Sequence, residues 1–398
     1  MLSRLEKLIE ELCPNGVEYR KIKDVYKRLK GTPITAGKMK EIDNPNGEIR
    51  IFAGGKTVIN AIEEDIPKAN ITRVPAVLVQ SRGVIDAIYY NKPFTFKNEM
   101  WAYTAESKIK VKYLYYVLKN NIAYFREAAS GMGSLPQISL AVTEEFVIPV
   151  PPLEVQREIV RILDNFTELT AELTAELTAR MKQYQYYRKK FLTYDNNHPM
   201  KEKFFENYPN GVVVKKLGEV VKFINGRAYK QEELLTVGKY KVLRVGNFFT
   251  NNLWYYSDLE LSEDKYCNSG DLLYAWAASI GPQIWEGDKS IFHYHIWRLE
   301  YDETAISKKY LYYFLQMDVE TIQDSTTKST MPHVSMKNMM ERTISIPPIE
   351  IQNDIVNILD KYSTLCTNIA EGLPAEINAR KKQYEYYRDY LLSFKELM

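Results

Sequence analysis

The chain has 398 residues with an ordinary share of apolar and charged side chains, enough for two or three domains with real cores. Its 53 basic and 51 acidic residues leave a net charge of +2, so a nucleic-acid partner would have to be met by a local basic face rather than by bulk charge. No run of about 18 apolar residues is present, which speaks against a membrane span. Three widely separated cysteines, Cys13, Cys267 and Cys366, fit a reducing cytoplasm better than a disulfide framework.

The opening MLSRLEKLIEELC sets Leu and Ile at helical spacing among charges and lacks the apolar core and small-residue cleavage site of a signal peptide. Mixed signals follow to about residue 150. IRIFAG (49–54), PAVLVQS (75–81), VIDAIYY (84–90) and EMWAY (99–103) predict strands, being β-branched and aromatic and bounded by Gly, Pro and Asn. A helix is predicted at about 110–128. PPLEVQ then stops the last strand and opens a helix. From Glu154 to Leu192 the residues Ile159, Ile162, Leu163, Phe166, Leu169, Leu173, Leu177, Met181 and Tyr184 form one apolar stripe. Inside it, TELTAELTAELTAR (167–180) repeats a four-residue unit, about one helical turn each time.

The chain then repeats itself. CPNGVEYRKIKDV (13–25) is echoed by YPNGVVVKKLGEV (208–220), KYLYYVL (112–118) by KYLYYFL (309–315), and GSLPQIS (133–139) by STMPHVS (329–335). PPLEVQREIVRILD (151–164) matches PPIEIQNDIVNILD (347–360) at nine of fourteen positions, and ARMKQYQYYR (179–188) matches ARKKQYEYYR (379–388) at eight of ten. The offset stays between 195 and 200, so one unit of roughly 200 residues is duplicated. YKVLRVGN (240–247), DLLYAWA (271–277) and IFHYHIWRL (291–299) are the counterpart strands, with a helix at about 307–323. A second apolar stripe runs through Ile355, Ile358, Leu359, Tyr362, Leu365, Ile369, Leu373, Ile377 and Tyr384, where Pro374 after Gly372 should kink or interrupt the helix. Two such stripes predict a shared helical pair. The expected fold is α+β and internally duplicated: two mixed α/β modules separated by an antiparallel pair of long helices, with pseudo-twofold symmetry. The expected divisions are 1–150 (first module), 151–195 (central helical spacer), 196–346 (second module) and 347–398 (distal helical spacer).

Two variable modules alternating with helices that carry PPxExQxxIVxILD and ARxKQYxYYR, the first also with TAEL repeats, resemble the specificity subunit of type I restriction-modification enzymes. The resemblance covers the whole chain. It implies that the modules are target recognition domains, each reading one half of a split double-stranded DNA sequence. The helices would set the distance between the halves and dock two methyltransferase subunits, and motor-nuclease subunits would complete the restriction enzyme. The assembled complex is a site-specific adenine-DNA methyltransferase and ATP-dependent endonuclease. The specificity subunit has no active site and no cofactor; S-adenosylmethionine, ATP and Mg²⁺ belong to its partners. By the same resemblance the TAEL count sets the number of unread base pairs.

Catalytic and metal signals are weak. KGTPITAGKM (30–39) has the wrong glycine spacing for a phosphate loop, and Met39 stands where Ser or Thr would bind magnesium. IFAGGK (51–56) faintly resembles an S-adenosylmethionine turn, but no Asn- or Asp-Pro-Pro-aromatic word accompanies it. Glu263 and Lys265 of SEDK, after Asp258, read as a surface pair. His293 and His295 alternate in FHYHIW, so a strand would put them on one face, with no third metal ligand evident. A single-chain DNA-modifying enzyme and a coiled-coil adaptor without DNA contact are the alternative readings. Labelled S-adenosylmethionine on the purified chain would test the first, and salt-sensitive, sequence-selective DNA binding would exclude the second.

Candidate DNA-binding residues are polar groups at loops and strand ends that can grip phosphate or a base edge. In the first module these are Lys38, Lys40, Lys56, Arg73, Ser81, Arg82, Lys97 and Asn98, with the glycine-rich SGMGS (130–134) as a possible backbone approach to phosphate. In the second they are Arg227, Lys230, Arg244, Asn247, Trp276, Ser279, Gln283, His293, His295, Lys328 and Ser329. At an offset of 195, Arg82 falls on Ala277 and Asn98 on His293. For the tyrosine-basic tails two uses are open, stapling the helical pair or facing a methyltransferase; the second is preferred for Tyr184, Tyr186, Tyr187, Arg188, Tyr384, Tyr386, Tyr387 and Arg388.

Overall fold

In the computed structural model, which describes residues 2–129, 135–193, 212–249, 251–325, 333–368 and 371–397, each half of the chain builds the same pair of sheets. The chain divides into two compact units, Met1–Thr174 with Glu376–Met398, and Ala175–Ala375. In the first unit a four-stranded antiparallel sheet has the order Lys27–Leu29, Trp101–Thr104, Ala76–Gln80, Asp86–Tyr90. A three-stranded sheet has the order Val58–Ala61, Ile49–Phe52, Phe94–Phe96, with the last pair parallel.

The second unit repeats both sheets. Val221–Asn225, Ile296–Tyr301, Leu272–Ala275 and Gly281–Ile284 form the first. Tyr255–Ser257, Tyr240–Leu243, Ser290–Phe292 and Tyr266–Cys267 form the second, again with a parallel central pair. In each copy a two-stranded ladder joins the start of the module to its end: Glu18–Lys21 with Val147–Val150, and Val213–Lys216 with Thr343–Ile346. The central strands AVLVQ and LLYA are buried at every position, which is why they read as unbroken apolar runs. Gly31 and its counterpart Gly226 are needed for close approach. A Cβ there would stand 2.3 Å from the carbonyl oxygens of Phe96 and Phe292 respectively.

The helix Leu153–Leu192 has 40 residues, about 60 Å at ~1.5 Å per residue. Val155, Ile159, Ile162 and Leu163 enter the core of the first unit, and Tyr184, Phe191 and Leu192 enter that of the second. Between them Leu169, Leu173 and Leu177 are only half-buried and Met181 is exposed. The C-terminal counterpart is broken into Ile349–Thr367 and Leu373–Leu391. Pro374 sits in the first turn of the later helix, where a missing N–H costs nothing. The second apolar stripe is therefore not continuous; Ile369 lies outside the described residues, and Leu365 is exposed.

Helix pairing is duplicated as well. Phe166 stacks on Tyr387 within the first unit (5.5 Å, 23°) and Tyr187 on Tyr362 within the second (5.8 Å, 27°). Asp164 accepts hydrogen bonds from Tyr116 and Lys112, tying the helix Lys108–Asn120 to the long helix. Asp360 accepts from Tyr313 and Lys309, both at 2.6 Å, in the same arrangement. Paired long helices and two duplicated α/β modules are thus the architecture.

Several local expectations change. The helix expected at 110–128 is two helices, Lys108–Asn120 and Ile122–Glu127, parted at Asn121. YKVLRVGN is a strand only to Leu243, after which Val245–Phe249 is helical. IFHYHIWRL is not one strand. It leaves one sheet after Phe292 and enters the other at Ile296, so the chain turns at His293–His295, where simple alternation had predicted a continuous face. Among the described residues no helix is long and apolar enough to cross a membrane.

Candidate nucleic-acid interface

In the first module the chain also changes sheet between Phe94–Phe96 and Trp101–Thr104. The crossing turn is fixed by its backbone: the Lys97 N–H donates to the Phe52 carbonyl and the Met100 N–H to the Lys97 carbonyl, both at 2.9 Å. Glu99 then gathers the neighbouring loops. One carboxylate oxygen accepts the Gly54 N–H (3.0 Å), the other accepts Lys97 Nζ (2.7 Å), and its backbone carbonyl accepts the Ser81 hydroxyl. Gln80 Nε2 donates to the Gly55 carbonyl (2.6 Å), and the Gly55 N–H donates to the Arg82 carbonyl (3.1 Å). Burial alone would raise the Glu99 carboxyl. The bonds from Lys97 and Gly54 and the charges of Lys97 and Arg82 outweigh it and hold the group below the usual carboxylate range. Glu99 is thus ionised at neutral pH. Arg82 is exposed at the start of a turn whose Gly83 has φ +76°.

The second module carries the corresponding turn at His293–His295. The His293 N–H donates to the Leu243 carbonyl and the Ile296 N–H to the His293 carbonyl, both at 2.9 Å, and the Trp276 N–H donates to the His295 carbonyl at 3.0 Å. Arg244, Asn247, Leu253, His293 and His295 line a pocket of about 240 Å³. Burial, with the neighbouring His295 and Arg244, pushes His293 down to about 4, and burial lowers His295. Both rings are neutral at pH 7, so each offers one donor and one acceptor. Arg244 is exposed and lies over Tyr255, 5.4 Å from the ring centroid. Asn247 is a loop clasp: it accepts the Arg244 N–H (3.2 Å) and donates to the carbonyls of Asn251 (3.1 Å) and Leu253 (2.9 Å).

The bridges between strands correct the alignment of the two copies. Thr32 bridges Lys97 as Arg227 bridges His293, so Lys97, not Asn98, is the counterpart of His293, and Glu99 that of His295. Arg82 and Ala277 do correspond. They bridge Gln137 and His333 respectively, and the next residues, Gly83 and Ala278, both have positive φ (+76° and +64°). Ala278 holds that backbone at a cost of roughly 1 kcal/mol.

The structure therefore brings together Ser81, Arg82 and Lys97 in one module, with exposed Lys56 and Asn98 on the same loops, and Arg244, Asn247, Trp276, His293 and His295 in the other. Ser81 is buried. Trp276 is half-buried, donates to the Tyr294 carbonyl (2.8 Å) and stacks on Trp297. Lys38 pairs with Glu41 (2.8 Å), Arg73 with Glu63, Arg227 with Glu233 (2.7 Å) and Lys230 with Glu232 (3.7 Å). Lys40 and Ser279 are exposed, and Gln283 is half-buried in its strand. Lys328, Ser329 and SGMGS lie outside the described residues. Glu99 escaped the sequence reading because the search was for cations and amides; its position two residues after Lys97, between two strands, was the available signal.

In the helical tails, Tyr184 is buried, and so is Arg188, 5 % exposed, which reaches Gln316 at 3.1 Å. Arg388 likewise bonds Asn120 (2.7 Å) and lies over Tyr384. Tyr187 and Tyr387 form the inter-helix stacks. The exposed rings are Tyr186 (59 %) and Tyr386 (66 %). Glu263 pairs with Lys289 and Asp264 with Lys265, and among the described residues no three His, Cys, Asp or Glu side chains are grouped to hold a metal ion.

The profile of the type I restriction modification DNA specificity domain family matches residues 14–183 and 209–379. A type I restriction enzyme specificity subunit of Haemophilus influenzae is 33% identical over 317 residues, covering 76% of this chain and 77% of that one. One from Escherichia coli is 33% identical over 307 residues, covering 73% and 72%. In fold, the chain resembles the crystal structure of a type I restriction-modification system S subunit from M. genitalium, with TM-score 0.54, 19% identity and coverage of 94% and 95%. It also resembles a chain from a structure of type I system assembly and conformational transition, with TM-score 0.60, 15% identity and coverage of 96% and 98%.

Proposed function

This chain belongs to the type I restriction-modification specificity subunits, the non-catalytic DNA-recognition component of such a complex, and from that premise we propose how it divides the work. Residues 1–150 and 196–346 are the two target recognition domains, and each reads one half of a bipartite double-stranded DNA target. Residues 151–195 and 347–398 are helical spacers that fix the number of unread base pairs and dock two methyltransferase subunits, to which motor-nuclease subunits add. The observation that supports this most is the repetition of both sheets and of the sheet-crossing turn with different side chains on it. Two readers of one design with unlike contact groups suit two unlike half-sites.

The DNA-facing groups are proposed to be Arg82, Lys97, Asn98 and Lys56 in the first module, and Arg244, His293, His295 and Trp276 in the second. The remaining exposed cations would make phosphate contacts that position without specifying. Tyr186 and Tyr386 are proposed to face the methyltransferase, while their buried neighbours hold the helices to the modules. The complex acts on DNA in the cytoplasm, and S-adenosylmethionine, ATP and Mg²⁺ are bound by the partners. Methylation mapping of a genome carrying this gene and its cognate methyltransferase tests the proposal. A split target with a fixed gap is expected, and an uninterrupted target would refute it.

A further inference from the structure

We propose that the sheet-crossing turn of each module, Lys97–Glu99 in the first and His293–His295 in the second, is the element that selects a base. The inference rests on the reading of the two modules as readers of two half-sites. It comes from comparing the chain with itself. The bonds that shape the turn are kept in both copies: Lys97 to Phe52 and His293 to Leu243, Met100 to Lys97 and Ile296 to His293. The last carbonyl of the turn, from Glu99 or His295, is held in each case by the residue that follows the central strand, Ser81 or Trp276. The side chains at the two matching positions are not kept. One copy carries an ammonium–carboxylate pair, the other two imidazoles. A scaffold conserved down to its hydrogen bonds, with the chemistry exchanged at two points, has changed what it offers rather than how it folds.

The two offers differ in sign. The Glu99 carboxylate is a pure acceptor. Each oxygen takes one bond from the protein, and the side chain is 29 % exposed, so acceptor capacity remains for a ligand. Facing a major groove, such a group selects an amino-bearing edge, cytosine N4 or adenine N6. Lys97, 2.7 Å away, offsets its charge and lets a carboxylate approach a polyanion. In the second module Arg244 supplies donors only, and the neutral His293 and His295 beside it supply a donor each. That donor-rich set selects the acceptor-bearing edge of guanine, O6 and N7. The first half-site should therefore hold cytosine or adenine at the position this turn reads, and the second half-site guanine.

The test is methylation mapping of host genomic DNA by the full chain assembled with its methyltransferase. Glu99→Gln keeps the shape of the side chain but adds a donor. It should relax discrimination at one position of the first half-site by about 5- to 150-fold and leave the second half-site intact. His295→Ala should do the converse. The intact half-site in each arm reports that the variant is folded and assembled. Half-sites both unchanged, both weakened alike, or affected in the wrong module would overturn the proposal. A wild-type complex with no split target would overturn instead the reading on which it rests.

Discussion

Removing Thr170–Leu173 deletes one TAEL unit from the 40-residue helix Leu153–Leu192. At ~1.5 Å and 3.6 residues per turn, four residues amount to ~6 Å of length and about 40° beyond a full turn. B-DNA advances ~3.4 Å and turns ~34–36° per base pair. The rotation matches one base pair, and the length is nearer two; a helix inclined to the duplex projects only part of its length along it. The recognised gap should shrink by about one base pair. Both half-sites should stay as they were, because no residue of either module's turn is touched. Inserting one more unit should widen the gap by the same step.

The structure explains why the deletion should be tolerated. Thr167, Thr170 and Thr174 bond only to carbonyls four residues earlier in their own helix, at 2.9, 2.8 and 2.7 Å. Leu169 and Leu173 are half-buried and belong to neither of the two main cores. The stacks Phe166–Tyr387 and Tyr187–Tyr362 lie outside the excised residues. After excision Leu169 is followed by Thr174, and the Thr-Ala-Glu-Leu order is unbroken. Stability should change by no more than about 1 kcal/mol. Methylation mapping gives the new target, and binding of duplexes with gaps one base pair apart measures the preference directly. A changed half-site base at an unchanged gap would refute the ruler.

Three further outcomes are expected. His293 has a folded-state value near 4, below that of a free imidazole; the unfolded chain therefore binds the proton more readily between about pH 6.5 and 4. Stability is full above that window and falls as pH drops through it, by about 1–2 kcal/mol after discounting for the partial exposure of the ring. His293→Gln should remove that part of the slope in pH-dependent thermal melts. Asp164→Ala leaves Tyr116 and Lys112 without their shared acceptor and should destabilise the first unit by about 1–3 kcal/mol, with Asp360→Ala doing the same to the second; calorimetry of each variant would show a lowered transition. Tyr186→Ala with Tyr386→Ala should leave melting within about 0.5 kcal/mol of the parent yet weaken methyltransferase binding about tenfold or more, as sedimentation of the reconstituted complex would reveal.

How far the sequence could be read follows from which of its signals are local. The duplication, the long helix and the break at Pro374 are written in words of four to fourteen residues, and each folds as its own pattern dictates. The tails were half legible. Tyr184 and Arg188 are four apart, so a helix puts them on one face, and both are buried; Tyr186 lies between them on another face and is exposed. The turn at His293–His295 was not legible, because FHYHIW alternates in the same way whether the chain stays in one sheet or passes into another. Asp164 looked like a solvated helix charge because Tyr116, its partner, is 48 residues away in sequence. Glu99 was hidden for the opposite reason: its neighbours Lys97 and Gly54 make it resemble an ordinary structural ion pair. What brings Glu99 forward is the second copy. There the same backbone bonds hold His295, so the fold requires neither side chain at that position, and its identity is left free to be set by whatever the turn faces.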